Sequence, residues 1–158
     1  GVRAVADDGV SGDESLVERL KLIEYSKQFL GCSYATGATG PKSFDCSGFV
    51  FSVSRESIGL QLPRSSRAIY SFSKQIDDAE RQPGDLVFFK TTGSGNISHV
   101  GIYLGDDQFI HSASDGPSTG IIISSLSRGY WKAHYVGAGQ ILPKTNAEIA
   151  LEKPASSN

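Results

Sequence analysis

Residues 86–113, with the sequence LVFFKTTGSGNISHVGIYLGDDQFIHSA, decide the fold class of this chain. Short runs rich in valine, isoleucine, phenylalanine and tyrosine alternate here with glycine-containing turns, a pattern typical of β-strands in hairpins. The pattern continues toward the C-terminus, and strands are predicted at 86–89, 97–104, 108–113, 120–124 and 135–142. We interpret them as an antiparallel meander.

Upstream of this region the apolar positions recur at helical spacing. A first helix is predicted to begin at Ser15, which forms a capping box with Glu18, and to stop at Gly31. Asp45 is the expected N-cap of a second helix, and a third passes through residues 69–72 after a serine cap. Helices followed by closely spaced strands indicate an α+β domain with the helices packed on one side of the sheet.

Length and charge exclude several classes of protein. The chain has 158 residues and a formal net charge of -2, without a run of like charges, so nucleic acid is not an expected partner. Its apolar stretches are far shorter than the roughly 20 residues that cross a bilayer. We predict one domain over 15–143, between a flexible leader or tether at 1–14 and a flexible tail at 144–158. The absence of methionine indicates a processed form or an expressed fragment.

Cys46 is the candidate nucleophile because it follows Asp45 at the predicted start of the second helix. Free backbone N–H groups and the positive end of the helix dipole should stabilise a thiolate there and lower the thiol pKa. A buried, chemically silent cysteine is the alternative, since cysteine often packs as a small apolar residue. The second cysteine, Cys32, is expected only to pack.

Two of the three histidines, His99 and His111, lie on neighbouring predicted strands. If residues 105–107 form the hairpin loop, Leu104 pairs with Gln108 and the two histidines become diagonal neighbours on one face, about 7 Å apart. The other face then carries Val100, Ile102, Leu104 and Ile110 and is the apolar side.

A cysteine nucleophile, a histidine base and a group that orients the base suffice for acyl transfer through a thioester. We therefore predict that Cys46 is the nucleophile, His99 the base and His111 the orienting group. A zinc site is the rival interpretation, but the sequence has no CxxC or HxxxH pair, and neither metal nor cofactor is expected. His134 has no partner in this pattern and is expected at a strand edge.

Five segments occur in one order: LGCSY at 30–34, FDCSGFV at 44–50, LPRSS at 62–66, QPGDLVFF at 82–89 and SHVGIYLG at 98–105. Together they resemble the NlpC family of bacterial cell-wall peptidases. The resemblance implies a papain-like α+β fold in which a cysteine on a helix faces two histidines on the sheet. It also implies hydrolysis of peptidoglycan stem peptides, typically between γ-linked D-glutamate and diaminopimelate or lysine.

The same resemblance implies further roles for residues around Cys46. Tyr34 would help the Cys46 backbone N–H hold the oxyanion. Asp45 and Ser47 would line the substrate cleft and help bind a free amino end, although Asp45 as a helix cap alone is the competing interpretation. The sequence departs from the family at Gly37-Ala38, where relatives often have a double glycine, and the loop beside the cleft should be slightly narrower.

The partners implied are peptidoglycan or muropeptides, and we expect a monomer in the cell envelope or secreted, after removal of a signal peptide or lipid anchor. We expect no separate wall-binding module, because the predicted leader is too short for a domain. Two other functions stay open at this point. One is a catalytically silent peptidoglycan-binding domain, and the other is an amidase or acyltransferase on the same scaffold.

Overall fold

The computed structural model describes residues 9–146, with side chains from residue 14 onward, so most of the predicted leader and tail lies outside the described residues. The first helix, α1 (Gly9–Lys27), begins six residues before the predicted start, and the capping box is therefore wrong. The Ser15 hydroxyl instead donates to the Pro143 carbonyl and accepts from Arg19 Nε at 3.1 Å. This tertiary contact holds Ser15 inside the helix rather than at its start.

The other helices are α2 (Cys46–Ile58), α3 (Ser66–Phe72) and α4 (Gly129–His134). The predicted cap of α2 is confirmed, because the Asp45 carboxylate accepts from Gly48 N–H at 2.6 Å. Ser65 caps α3 in the same way. The first helix ends at Lys27 rather than at Gly31, and α4 was not predicted. Within the described range no helix is both long and apolar enough to cross a membrane.

Within residues 9–146, eight strands form two sheets. The strands are β1 (Ser33–Tyr34), β2 (Ser43–Phe44), β3 (Lys74–Ile76), β4 (Leu86–Phe89), β5 (His99–Gly105), β6 (Gln108–Ala113), β7 (Gly120–Ser125) and β8 (Tyr135–Gln140). β1 and β2 are parallel, whereas the six-stranded sheet is antiparallel, in the order β3-β8-β4-β5-β6-β7. The predicted meander holds for β4 to β7, but β8 returns to pair with β4 and does not continue beside β7.

The central sheet is covered on both faces. As strand geometry requires, Leu86 and Phe88 point to one face and Val87 and Phe89 to the other. The first face packs against α1, α2 and α3, which confirms the α+β layering predicted for the N-terminal helices. The second face carries a smaller aromatic core centred on Trp131 of α4.

The β5–β6 hairpin sets the positions of both histidines. Its loop is Asp106-Asp107, both residues with positive φ, as a two-residue hairpin turn requires, and Gly105 rather than Leu104 pairs with Gln108. The predicted three-residue loop is therefore wrong. A register shift after Tyr103 compensates, so that Ile102 still pairs with Ile110 as the predicted register requires.

Candidate active site

Cys46 is the first residue of α2, and its thiol lies beside the start of β5. Its Sγ is 3.6 Å from the carbonyl oxygen of Ser98, the residue before His99. The Asp45 cap and the first turn of α2 fix the backbone at this point. The helix start thus places the thiol beside the backbone that leads into His99, the first residue of β5.

The pKa of Cys46 is raised to about 11, first by burial and then by the negative charge of Asp45. Hydrogen bonds from the backbone of Ser47 and Val100 lower the pKa, but by less than burial and Asp45 raise it. The prediction that the helix N-terminus lowers this pKa is therefore wrong, because burial and the neighbouring carboxylate outweigh the helix. The thiol is neutral at pH 7 and has to lose its proton during attack.

His99 and His111 lie side by side. His99 Nε2 and His111 Nδ1 are 2.8 Å apart, and both side chains are buried, with exposures of 3% and 0%. Burial lowers the pKa of His99 to about 3, while burial and the neighbouring imidazole lower that of His111. Both rings are therefore neutral at pH 7, and His99 can accept a proton.

The ring of His99 has only one nitrogen left for the thiol. Since Nε2 faces His111, Nδ1 is the nitrogen that remains to take a proton from Cys46. Trp131 stacks on the His99 ring with centroids 4.7 Å apart and meets the His111 ring edge-on. These aromatic contacts hold both imidazoles in place. Sequence analysis missed Trp131, since no helix was predicted around it.

Ser124 extends the line of hydrogen bonds beyond His111. Its Oγ is 2.8 Å from His111 Nε2, and its position opposite Phe109 in the β6–β7 ladder directs it to the histidine face. Sequence analysis missed this residue. Continuing the register count from β6 into β7 is the signal that would have found it.

Tyr34 reaches the site through the small parallel sheet. It pairs with Phe44, two residues before Cys46. Burial is the main cause that raises its pKa, to which the charges of Cys46 and Asp45 add, while hydrogen bonds to Ser114 and Thr36 act against it. The phenol therefore lies near enough to Cys46 and Asp45 for their charges to raise its pKa, while its oxyanion role stays a prediction.

Asp45 and Ser47 are joined by Arg64, which sequence analysis left without a role. Arg64 Nη2 donates to the Asp45 carboxylate at 2.8 Å and Nη1 to Ser47 Oγ at 2.8 Å. The carboxylate also accepts from the backbone N–H of Gly37 and Gly48. Asp45 is therefore a helix cap and an ion-pair partner at once, and much of its acceptor capacity is used.

The remaining candidates lie apart from this cluster. His134 ends α4, where its Nδ1 is 2.7 Å from the Tyr130 carbonyl oxygen, so the predicted strand edge is wrong. Both cysteines are free, and Cys32 packs against the core on the helix side of the sheet. Among the residues that the structure describes, no group of three or more His, Cys, Asp or Glu is arranged to hold a metal ion.

Comparison with known sequences identifies one family and close relatives. The model of the NlpC/P60 family matches residues 31–140. Murein DD-endopeptidase MepH of Escherichia coli (strain K12) is 40% identical over 122 residues, which are 75% of this chain and 44% of the relative. Murein DD-endopeptidase MepS/Murein LD-carboxypeptidase of the same strain is 37% identical over 125 residues, 79% of this chain and 64% of the relative. The chain thus spans less than two thirds of each relative.

Comparison with solved structures gives the same match. The crystal structure of an NlpC/P60 family protein from Bacillus cereus ATCC 10987 superimposes with a TM-score of 0.70 at 34% identity. The match covers 79% of this chain and 40% of the other. The likeness therefore extends over most of the domain described above.

Proposed function

The chain belongs to the NlpC/P60 family and has its papain-like α+β fold, and from this premise we propose that it is a cysteine endopeptidase that hydrolyses peptidoglycan peptides. The observation that carries the proposal is the half-buried Cys46 thiol at the start of α2, beside the hydrogen-bonded pair of His99 and His111. A binding domain has no need of a neutral base in contact with an orienting group next to a thiol.

In the first step the Cys46 Sγ attacks the carbonyl carbon of the scissile amide while its proton moves to Nδ1 of His99. The negative charge that develops on the carbonyl oxygen is held by the backbone N–H of Cys46 and the hydroxyl of Tyr34. His111 remains bonded to Nε2 of His99 and keeps the ring aimed at the thiol.

In the second step the C–N bond breaks, and His99 returns its proton to the leaving amine. A thioester joins the acyl fragment to Cys46. Water then attacks the thioester, giving one proton to His99, and the sulfur leaves and recovers that proton. The products are a free carboxylic acid, a free amine and the original thiol.

The family resemblance favours the bond between γ-D-glutamate and diaminopimelate or lysine, with Asp45 and Ser47 binding the free amino end. The existing bonds from Arg64, Gly37 and Gly48 to Asp45 compete with that amine. This competition supports a second candidate, a DD-peptide bond in the cross-link between stem peptides, which needs no free amine. Relatives MepH and MepS are named for such an activity.

The partner that this proposal requires is peptidoglycan or its soluble muropeptides. Peptidoglycan lies outside the cytoplasmic membrane, and we therefore place the enzyme in the bacterial envelope or outside the cell. We expect it to act as a monomer, because every group named in the mechanism comes from one chain.

The test is mass spectrometry of peptides after incubation with the reduced wild-type chain and with Cys46→Ala. The substrates are L-Ala-γ-D-Glu-diaminopimelate and a purified cross-linked muropeptide dimer. Release of L-Ala-D-Glu identifies the first bond, and conversion of dimer to monomers identifies the second. Peptides bound but intact with both proteins would overturn the proposal in favour of a silent binding domain. Cleavage between sugar and peptide would overturn it in favour of an amidase.

A further inference from the structure

Ser124 lies at the end of the hydrogen-bonded line that begins at His99, and among the described residues its hydroxyl is the one polar contact of His111 Nε2. His111 is fully buried, whereas Ser124 is half-buried. Ser124 also lines a surface cavity of about 370 Å³, together with Arg128, Tyr130 and Trp131. Its hydroxyl therefore faces the catalytic line on one side and open space on the other.

Two arrangements of protons satisfy the pair of neutral histidines. In the first, both rings carry the proton on Nε2, so that His99 donates to His111 and His111 donates to Ser124. In the second, both rings carry it on Nδ1, so that His111 donates to His99 and Ser124 donates to His111. Only the first leaves Nδ1 of His99 without a proton and able to accept one from Cys46.

The first arrangement needs an acceptor for the Nε2 proton of His111. The Oγ of Ser124 supplies it, and its own hydrogen can turn toward the cavity. Without that oxygen a buried N–H would be unsatisfied, whereas the second arrangement would leave only a nitrogen lone pair without a partner. Unpaired buried N–H groups are rare in proteins, because a buried donor without an acceptor costs the full desolvation penalty of that group.

We propose that Ser124 is a positioning residue whose oxygen accepts the Nε2 proton of His111, so that His99 and His111 can hold the Nε2-protonated tautomer and Nδ1 of His99 stays available as the base. The inference rests on the proposed function for its kinetic consequence. The tautomer itself can be observed without any substrate.

The kinetic test compares Ser124→Ala with Ser124→Thr and Ser125→Ala. Thr keeps an oxygen at the Oγ position, and Ser125 is a matched control because its hydroxyl bonds with Ser127 instead. We expect kcat to fall about ten- to hundredfold in Ser124→Ala with KM little changed, the loss expected from an unsatisfied buried donor. Ser124→Thr should restore most of kcat, and Ser125→Ala should match the wild type.

The second readout is ¹⁵N NMR of histidine-labelled wild type and Ser124→Ala. Wild-type His99 and His111 should both show a protonated Nε2 and an unprotonated Nδ1, and the alanine variant should shift both rings toward protonated Nδ1. Unchanged tautomers in a folded Ser124→Ala would overturn the inference, even if kcat falls. If wild type cleaves no peptide, the proposed function fails, and the NMR comparison still decides the role of Ser124.

Discussion

At Cys46 burial and the charge of Asp45 raise the pKa to about 11, so the thiol is neutral at pH 7. Only a thiolate reacts readily with iodoacetamide. In a Cys32→Ser background, the alkylation rate of Cys46 should therefore rise about tenfold per pH unit between pH 7 and 9, without a plateau. The rate can be followed by intact-protein mass spectrometry.

The matched variant for this measurement is Asp45→Asn. Asparagine retains an N-cap oxygen but removes the negative charge next to the thiol. Alkylation at pH 8 should be faster than in the wild type, because the pKa of Cys46 falls when that charge is lost. A wild-type rate that is already constant below pH 8 would show a preformed thiolate and contradict this account.

The start of a helix at Cys46 and the adjacency of His99 and His111 could be predicted from the sequence, because helix capping and strand register follow local rules. That the cysteine faces the two histidines was implied only by the family resemblance. The thiol pKa could not be predicted in the same way, since it depends on how much protein covers Cys46. Arg64 was missed for a similar reason, because it reaches Asp45 and Ser47 from a segment after α2 that only the assembled fold brings there. Ser124 lies on the strand next to His111, and it was missed because the register was not counted beyond β6.

At the scale of a single element, the β5–β6 hairpin tolerates no side chain at Gly101. A Cβ there would lie 2.8 Å from the ring of Phe109 and 3.0 Å from both the His111 Cβ and the Ile110 carbonyl oxygen. We expect Gly101→Ala to lower the free energy of unfolding by about 1–3 kcal/mol, as overpacking does. Activity should fall too, because His111 must shift.

Gly137 in β8 is the control for that variant, since a Cβ there would meet nothing within 4 Å. Urea denaturation and peptide cleavage should both be near wild type for Gly137→Ala. Equal stability and activity of the Gly101 and Gly137 variants would show that the hairpin has room beside His111, against the packing described here.

The buried ion pair that links Arg19 of α1 to Asp85 should contribute strongly to the free energy of unfolding. Arg19 donates to Asp85 at 2.9 Å, both side chains are 0% exposed, and Arg19 also donates to three backbone carbonyls. Arg19→Met would leave Asp85 buried without its ion-pair partner and should cost about 3–5 kcal/mol in urea denaturation. Arg55→Met, which breaks an exposed pair with Glu56, should cost about 1 kcal/mol or less.

A loss below about 1 kcal/mol in Arg19→Met would contradict the importance of this ion pair. The pair also explains why the start of α1 could not be predicted. Ser15 fits a capping pattern by itself, but its hydroxyl is used by Arg19, one turn further along α1, and by Pro143, which is distant in sequence. Likewise, β8 pairs with β4 rather than with β7, and the local sequence pattern does not determine this choice.

At the scale of the whole molecule, two buried neutral histidines make folding sensitive to acid. The pKa of His99 is lowered to about 3 and that of His111 is lowered as well, whereas both would take up protons near pH 6.5 in the unfolded chain. Because the unfolded state then binds more protons, stability falls as the pH drops below about 6.5. Each histidine should contribute about 1.4 kcal/mol per pH unit.

This slope can be measured by urea denaturation at pH 7, 6 and 5 for wild type and His111→Gln. The variant should lose stability less steeply on acidification, since one of the two histidines is gone. Equal slopes for the two proteins would mean that His111 is protonated in the folded state, contrary to its burial. The fold class was predictable at this scale, because helices precede strands along the chain, whereas the burial that lowers both pKa values was not.

The most direct measurement of the central claim is cleavage of muropeptides by wild type, Cys46→Ala and Cys32→Ala, assayed side by side by mass spectrometry under reducing conditions. The account predicts the same cleaved products from wild type and Cys32→Ala, and none from Cys46→Ala. Cleavage that persists in folded Cys46→Ala, or that is lost in Cys32→Ala instead, would contradict it.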